Sequence, residues 1–175
     1  MILYRHADPR FPFLWESPDQ PPARWHGAGE GPVHHFADTP DGAWAEFLRH
    51  EGITDEAELE NVRRALWAVE ASDDLDAAEP NLPMKTLTSG TDTYHACRRE
   101  ARRLRARGAT ALRAPSAALI PGGAQGWKVA SGLQPARRRD GMVIALFGPR
   151  PDLIGWAATI AGRPRFDLLA SVRSL

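Results

Sequence analysis

Five prolines, at positions 9, 12, 18, 21 and 22, follow the first apolar run of the chain, Ile2-Leu3-Tyr4. Each locks its own φ and lacks a backbone N–H, so neither helix nor interior strand forms between that run and Ala23. The chain therefore opens on a short strand and continues as an ordered loop or a lid. Beyond the glycine-rich turn Gly27-Ala28-Gly29-Glu30-Gly31-Pro32, the β-branched and aromatic stretch Val33-His34-His35-Phe36-Ala37 reads as a second strand. At 175 residues the chain suits one domain, with ~68–70 % of the unfolded surface buried on folding.

A helix is then well signalled. Thr39 can N-cap it, Pro40 sits where a missing N–H costs nothing, Ala43, Trp44, Phe47 and Leu48 form its apolar stripe, and Gly52 ends it. Thr54 is expected to cap a second, acidic helix with Leu59 and Val62 inward, leading into a strand over Leu66-Trp67-Ala68-Val69. Residues 71–90 are acidic and proline-punctuated, which reads as a surface connection. Thr93 to Arg107 is the best helix of the sequence, with Tyr94, Cys97, Ala101 and Leu104 as its stripe and Gly108 as C-cap. Short strands are expected at Ala109 to Arg113 and Ala117 to Ile120, flanking Pro115-Ser116. A fully buried strand is expected at Met142 to Phe147, an exposed loop over 134–140, a strand-like run at Ile154 to Ile160, and a weak helix or strand from Phe166 to Val172. No internal repeat or linker appears, and the mixture indicates a single α/β or α+β domain over residues 1–175.

Charge narrows the partners. The 22 basic and 22 acidic residues cancel, which removes the global positive field of a nucleic-acid binder and the acidic excess of a disordered chain. The balance conceals a division: residues 1–97 carry 18 acids and 7 bases, residues 98–175 carry 4 acids and 15 bases. The halves can attract each other within one fold, or the basic half can face an anionic ligand. A single cysteine, Cys97, excludes an internal disulfide and a cysteine-rich zinc site. The apolar runs fall far short of the ~20 residues that span a bilayer, and the N-terminus lacks a signal peptide's hydrophobic region. The chain reads as soluble and cytoplasmic, with neither a membrane nor nucleic acid as direct partner; a homo-oligomer stays open.

Six histidines do not make a metal site: His34 and His35 point to opposite faces of one strand, and the others share no ligand spacing. The Gly27–Gly31 turn precedes a strand, whereas a dinucleotide fingerprint follows one and opens a helix. Arg137-Arg138-Arg139, with no interleaved aromatics, is a solvated loop. Glu46 lies one helical turn after Gly42 and Ala43, so a ligand can approach it closely, although helix-edge carboxylates are commonly just surface groups. Ser116 sits at a sharp break between two strand-like runs, where a hydroxyl can face a cleft or make a turn hydrogen bond. Arg5 and Arg24 are isolated cations beside apolar residues, suited to an anion or to a salt bridge.

Taken in order, Leu3-Tyr4-Arg5, Ala23-Arg24-Trp25-His26-Gly27, Gly31 to Ala37, Thr39 to His50 and Ala114-Pro115-Ser116-Ala117 resemble the RES-domain family, named for an Arg, a Glu and a Ser. The likeness is strongest over residues 3–121. It implies a compact fold similar to ADP-ribosyltransferase toxins, with a central mixed sheet flanked by helices. It also implies an enzyme that cleaves the nicotinamide–ribose bond of NAD by hydrolysis or phosphorolysis. NAD would be substrate rather than cofactor, inorganic phosphate a co-substrate, and no metal is needed. Many members resemble the toxin of a toxin–antitoxin pair, neutralised by an Xre-like helix-turn-helix partner. By position, Glu46, Arg24 and Ser116 match the family's catalytic set, and Arg5, His35, Tyr4 and Trp25 the substrate-binding one. His35 stands where the family usually has tyrosine. The competing readings are an ADP-ribosyltransferase acting on a macromolecular acceptor and a silent interaction module that kept the fold.

Overall fold

The proline-punctuated opening separates β1 (Ile2–Ala7) from β2 (Val33–Ala37), and a computed structural model, which describes residues 1–174, shows where the chain goes between them. Phe13 and Leu14 pack against a cluster of Leu3, Phe36, Val69, Ile144 and Leu146. Gln20 accepts a hydrogen bond from Val33 N at 2.8 Å, and Glu16 lies 3.0 Å from His34 Nε2. The segment is therefore an ordered layer over one face of the sheet. None of residues 8–22 borders the main cleft, so it is not a lid on it.

Local chemistry sets α1 (Pro40–Glu51) as expected: the Thr39 hydroxyl accepts from Gly42 N at 3.0 Å, and Gly52 closes the helix in the left-handed region at φ 67°. The second helix, α2 (Glu56–Leu59), is shorter, and its cap is Asp55 rather than Thr54. Asp55 accepts from Ala57 N while Glu58 reaches back to Asp55 N, a reciprocal box in which a carboxylate also meets the positive end of the helix.

After β3 (Arg64–Glu70), the expected surface connection contains two small elements, β4 (Ala77–Ala78) and α3 (Met84–Thr88). Burial orders them where periodicity could not: Ala78, Leu82 and Leu87 join the cluster around Cys97, Ala101 and Leu104 of α4 (Tyr94–Ala106). Next comes β5 (Ala111–Pro115). The strand expected at Ala117 to Ile120 does not form, because the Ser116 hydroxyl accepts from both Ala118 N and Leu119 N at 3.1 Å and turns the chain; only Leu119 bridges to Val172. The loop expected over 134–140 is partly a hairpin of β6 (Trp127–Val129) and β7 (Leu133–Pro135). The chain ends with β8 (Met142–Phe147), β9 (Ile154–Gly162) and a 3₁₀ segment, Phe166–Ser171.

Seven strands form a mixed sheet in the order β4-β5-β8-β2-β1-β3-β9, with β4 and β5 parallel and the other neighbours antiparallel. The helices gather on the face carrying Tyr4, Ala37, Leu112 and Ala145. The centre of the sheet is where this fold departs from a plain one. β1 and β3 run in register over six pairs, but β1 and β2 meet at a single pair, Tyr4 with Ala37. Beyond it Arg5 and His6 diverge from Phe36 and His35, and the sheet splits there.

Candidate active site

The split opens into a cleft of about 500 Å³, within the range of small-molecule sites. β1 contributes Tyr4, Arg5 and His6, and β2 contributes His35 and Phe36. The turn before β2 brings Ala23, Arg24 and Trp25, α1 brings Ala43, Glu46, Arg49 and His50, and Tyr94 closes the side from α4. Among these lining residues Glu46 is the sole carboxylate.

Glu46 projects from the face of α1 turned to the cleft. Burial pushes its carboxyl above the ordinary glutamate range, opposed by the Ser116 hydrogen bond and by the charges of Arg49 and Arg24. Ser116 Oγ donates to Glu46 Oε1 at 3.2 Å while accepting from Ala118 N and Leu119 N. Those two backbone donors occupy the lone pairs of the hydroxyl and aim its proton at the carboxylate. Ser116 is buried and lies behind Glu46 rather than in the cleft wall, which resolves its two sequence readings together: it makes a turn and it orients the acid. The bare face expected from Gly42 and Ala43 is half right. Ala43 lines the cleft, but a Cβ at Gly42 would stand 2.9 Å from Ala37 Cβ, so Gly42 serves the close approach of α1 to β2.

The cations are held by neutral groups. Arg24 donates to the carbonyls of Thr86 and Ser89 at 3.4 and 2.5 Å and lies over the Tyr94 ring at 4.7 Å. Arg5 sits 5.8 Å from the Phe36 ring centre; burial lowers its guanidinium to about 10, and its Nη1 has no hydrogen-bond partner. Arg49, absent from the sequence expectations, donates to the carbonyls of Ala117, Thr88 and Ser89. None of the three forms an ion pair among the described residues, unlike many arginines of the surface. Burial keeps His6 and His35 neutral, each lowered to about 3. The His35 ring lies 5.6 Å from that of His26, and its Nε2 is unpartnered. Trp25 is almost wholly buried and forms a wall, and Tyr4 packs toward α1. The cleft thus presents one oriented carboxylate, three cations with unspent charge and several aromatic surfaces, which suits an anionic ligand carrying rings.

A family model described as the RES domain matches residues 2–154. The chain belongs to the RES domain family. The match runs beyond residue 121, where the resemblance in the motifs fades, and takes in β8 and the start of β9. Among solved structures, this RES domain is similar in fold to a chain in the crystal structure of the M. tuberculosis MbcT–MbcA toxin–antitoxin complex, with a TM-score of 0.57 and 15 % identity, covering 97 % of this chain and 86 % of that one. None of the curated proteins matches it in sequence. No helix among the described residues is long and apolar enough to cross a membrane.

The sequence had signals for some of the residues it missed. Arg49 follows Glu46 by three positions and so shares its helix face, and Tyr94, expected in the apolar stripe of α4, is half-buried and lines the cleft instead. Arg49's carbonyl partners, 39 to 68 residues away in sequence, could not be read from the chain.

Proposed function

We propose that this RES domain cleaves the bond between nicotinamide and ribose in NAD. One observation carries the reading: a single carboxylate, oriented by a serine hydroxyl, shares a cleft with arginines that have no carboxylate partner among the described residues. The bond from ribose C1′ to the nicotinamide nitrogen breaks with its electron pair leaving on nicotinamide, which departs neutral, so positive charge develops on the ribose. Glu46, pre-aimed by Ser116, stabilises that charge. Arg5 and Arg24 offer donors to the pyrophosphate and hold the bond beside Glu46. Water then adds to C1′ through its oxygen and gives up a proton to solvent, or an anionic oxygen of inorganic phosphate adds with no proton to lose. Neutral His35 and His6 place hydrogen-bonding rings along the wall without adding charge. The family and the likeness in fold to a chain of a toxin–antitoxin complex support a role as the toxin of such a pair, neutralised by an Xre-like partner.

The test is to incubate the purified protein with NAD, with and without inorganic phosphate, and follow nicotinamide and the second product. Nicotinamide with free ADP-ribose identifies a glycohydrolase, and a phosphorylated ADP-ribose identifies a phosphorylase. Label captured on an added macromolecule would assign transfer instead. Intact NAD after incubation with folded protein would overturn the proposal.

A further inference from the structure

Arg49 is anchored more heavily than a surface helix arginine needs to be. Its guanidinium donates to three main-chain carbonyls from two segments, Ala117 after β5 and Thr88 and Ser89 after α3, and only 7 % of the residue is exposed. Arg24 donates to the same Ser89 carbonyl at 2.5 Å, so two cations converge on one oxygen. Like charges brought together in a buried place repel, and no carboxylate pairs with either among the described residues. Glu46, three positions before Arg49 on the cleft-facing side of α1, is the nearby acid that balances them. Arg49 Nε is buried without a partner, so the residue's fixed geometry is set by the carbonyls alone.

We propose that Arg49 is a positioning residue of the cleft: it holds the Ser89 carbonyl on which Arg24 is seated, and from one turn along α1 it sets a fixed positive charge against the Glu46 carboxyl. This rests on the reading of Glu46 as the acid of NAD cleavage, but its first readout does not. The other charged or titratable groups that line the cleft with Glu46 are Tyr4, Arg5 and His6 from β1, Arg24 from the turn before β2, His35 from β2, His50 from α1 and Tyr94 from α4, and the charge of Arg173 also acts on Arg49. Since burial leaves His6 and His35 neutral near neutrality, the arginines carry the counter-charge.

The experiment separates charge from anchoring. Arg49→Gln keeps a donor for a carbonyl and removes the charge, whereas Arg49→Lys keeps the charge and loses the multiple bonds. Glu46 is titrated directly by NMR on protein labelled with ¹³C at glutamate side-chain carboxyls, its signal assigned by its loss in Glu46→Gln. The midpoint should rise by about one pH unit in Arg49→Gln and stay near wild type in Arg49→Lys. The Lys variant should instead speed amide exchange over residues 88–93 and raise KM for NAD. In wild-type protein the Arg49 Nε–H signal should titrate with the midpoint of Glu46, a readout that needs no folded variant. A merely structural arginine would lower the melting temperature in both variants and move neither midpoint. An unchanged Glu46 midpoint in folded Arg49→Gln, or an Arg49 signal blind to Glu46 in wild type, overturns the proposal. If NAD is not cleaved at all, the titrations still decide it, and the failure then belongs to the functional reading.

Discussion

The arginines of the surface and those of the cleft live by different rules. Arg102 with Glu30, Arg113 with Glu79 and Arg165 with Asp167 are paired with carboxylates at the surface, where water screens them and each pair contributes little. Arg5, Arg24 and Arg49 line the cleft, held by carbonyls and aromatic rings, with Glu46 the one carboxylate beside them among the described residues. A paired surface arginine satisfies its charge within the fold. A desolvated arginine without an acid leaves charge that a ligand can meet, which is the physical ground for proposing that the same residue type is structural in one region and binds substrate in the other.

The sharpest way to break that comparison is to neutralise the cleft's one acid. Glu46→Gln keeps the shape and an acceptor for Ser116, and it should lower the rate of nicotinamide release by ~10²–10³, about 2.7–4 kcal/mol. Stability should move the other way. Because the folded carboxyl titrates above its unfolded value, the folded state holds the extra proton in the window just above the ordinary glutamate range, and stability falls as pH rises through it. Glu46→Gln removes that loss, so its melting temperature at neutral pH should equal or exceed that of wild type. Undiminished nicotinamide release by the variant would remove Glu46 from the chemistry.

Removing the cations one region at a time comes next. Arg24→Ala and Arg5→Ala should each weaken NAD binding by ~1.5–3 kcal/mol, one to two decades, as charge-assisted contacts are lost. Arg102→Ala, which breaks a surface pair, and Arg138→Ala in the loop should leave NAD affinity alone. Calorimetry on folded proteins checks this. Equal affinities across all four variants would erase the distinction between the two regions.

What could be read from the chain follows the range of the forces involved. α1 was legible down to its caps because Thr39, Pro40 and Gly52 act within a turn of themselves, and β8 because an unbroken apolar run has no other place to go. Glu46 stood out on that legible helix. β4 and α3 were hidden in an acidic, proline-marked stretch, since what orders them is contact with α4 and β5. The expected strand after Ser116 failed for a related reason: one hydroxyl captured two backbone donors that a ladder would have used. The meeting of Ser116 with Glu46, 70 residues apart, came only through the family's ordered motifs, and the seating of Arg49 on distant carbonyls through nothing but the fold.

Acid should weaken the fold through the histidines of the cleft. His6 and His35 are lowered to about 3 by burial and the nearby arginines, below their unfolded value of ~6.5. Above pH ~6.5 both folded and unfolded chains leave them neutral and stability is complete; between there and about 3 the unfolded chain binds protons that the folded one refuses, so stability falls as pH falls. The slope reaches at most ~1.4 kcal/mol per pH unit for each histidine. Chemical denaturation at pH 7, 6 and 5 measures it, with His35→Tyr flattening the limb. A stability unchanged between pH 7 and 5 would show that these rings protonate freely in the fold.

The smallest effect tests position 35, where the family resemblance implies a tyrosine and this chain has a histidine. His35 lies on β2 where it parts from β1, its ring tilted 33° to that of His26 and its Nε2 unpartnered at the cleft wall. A tyrosine there keeps an aromatic face and a hydrogen-bonding tip and carries no proton to lose near neutrality. A stacking contact is worth ~0.5–1.5 kcal/mol beyond its burial, so His35→Tyr should raise NAD turnover by no more than a few-fold, while His35→Ala should lose about a decade. Both effects should fall mainly on KM, as expected if, in the proposed reading, the ring lies along the bound ligand and Glu46 meets the developing charge. Steady-state kinetics on the two variants at fixed phosphate separates the cases. An alanine variant with the KM and turnover of wild type would strip position 35 of any part in binding and leave the arginines as the cleft's sole means of holding its ligand.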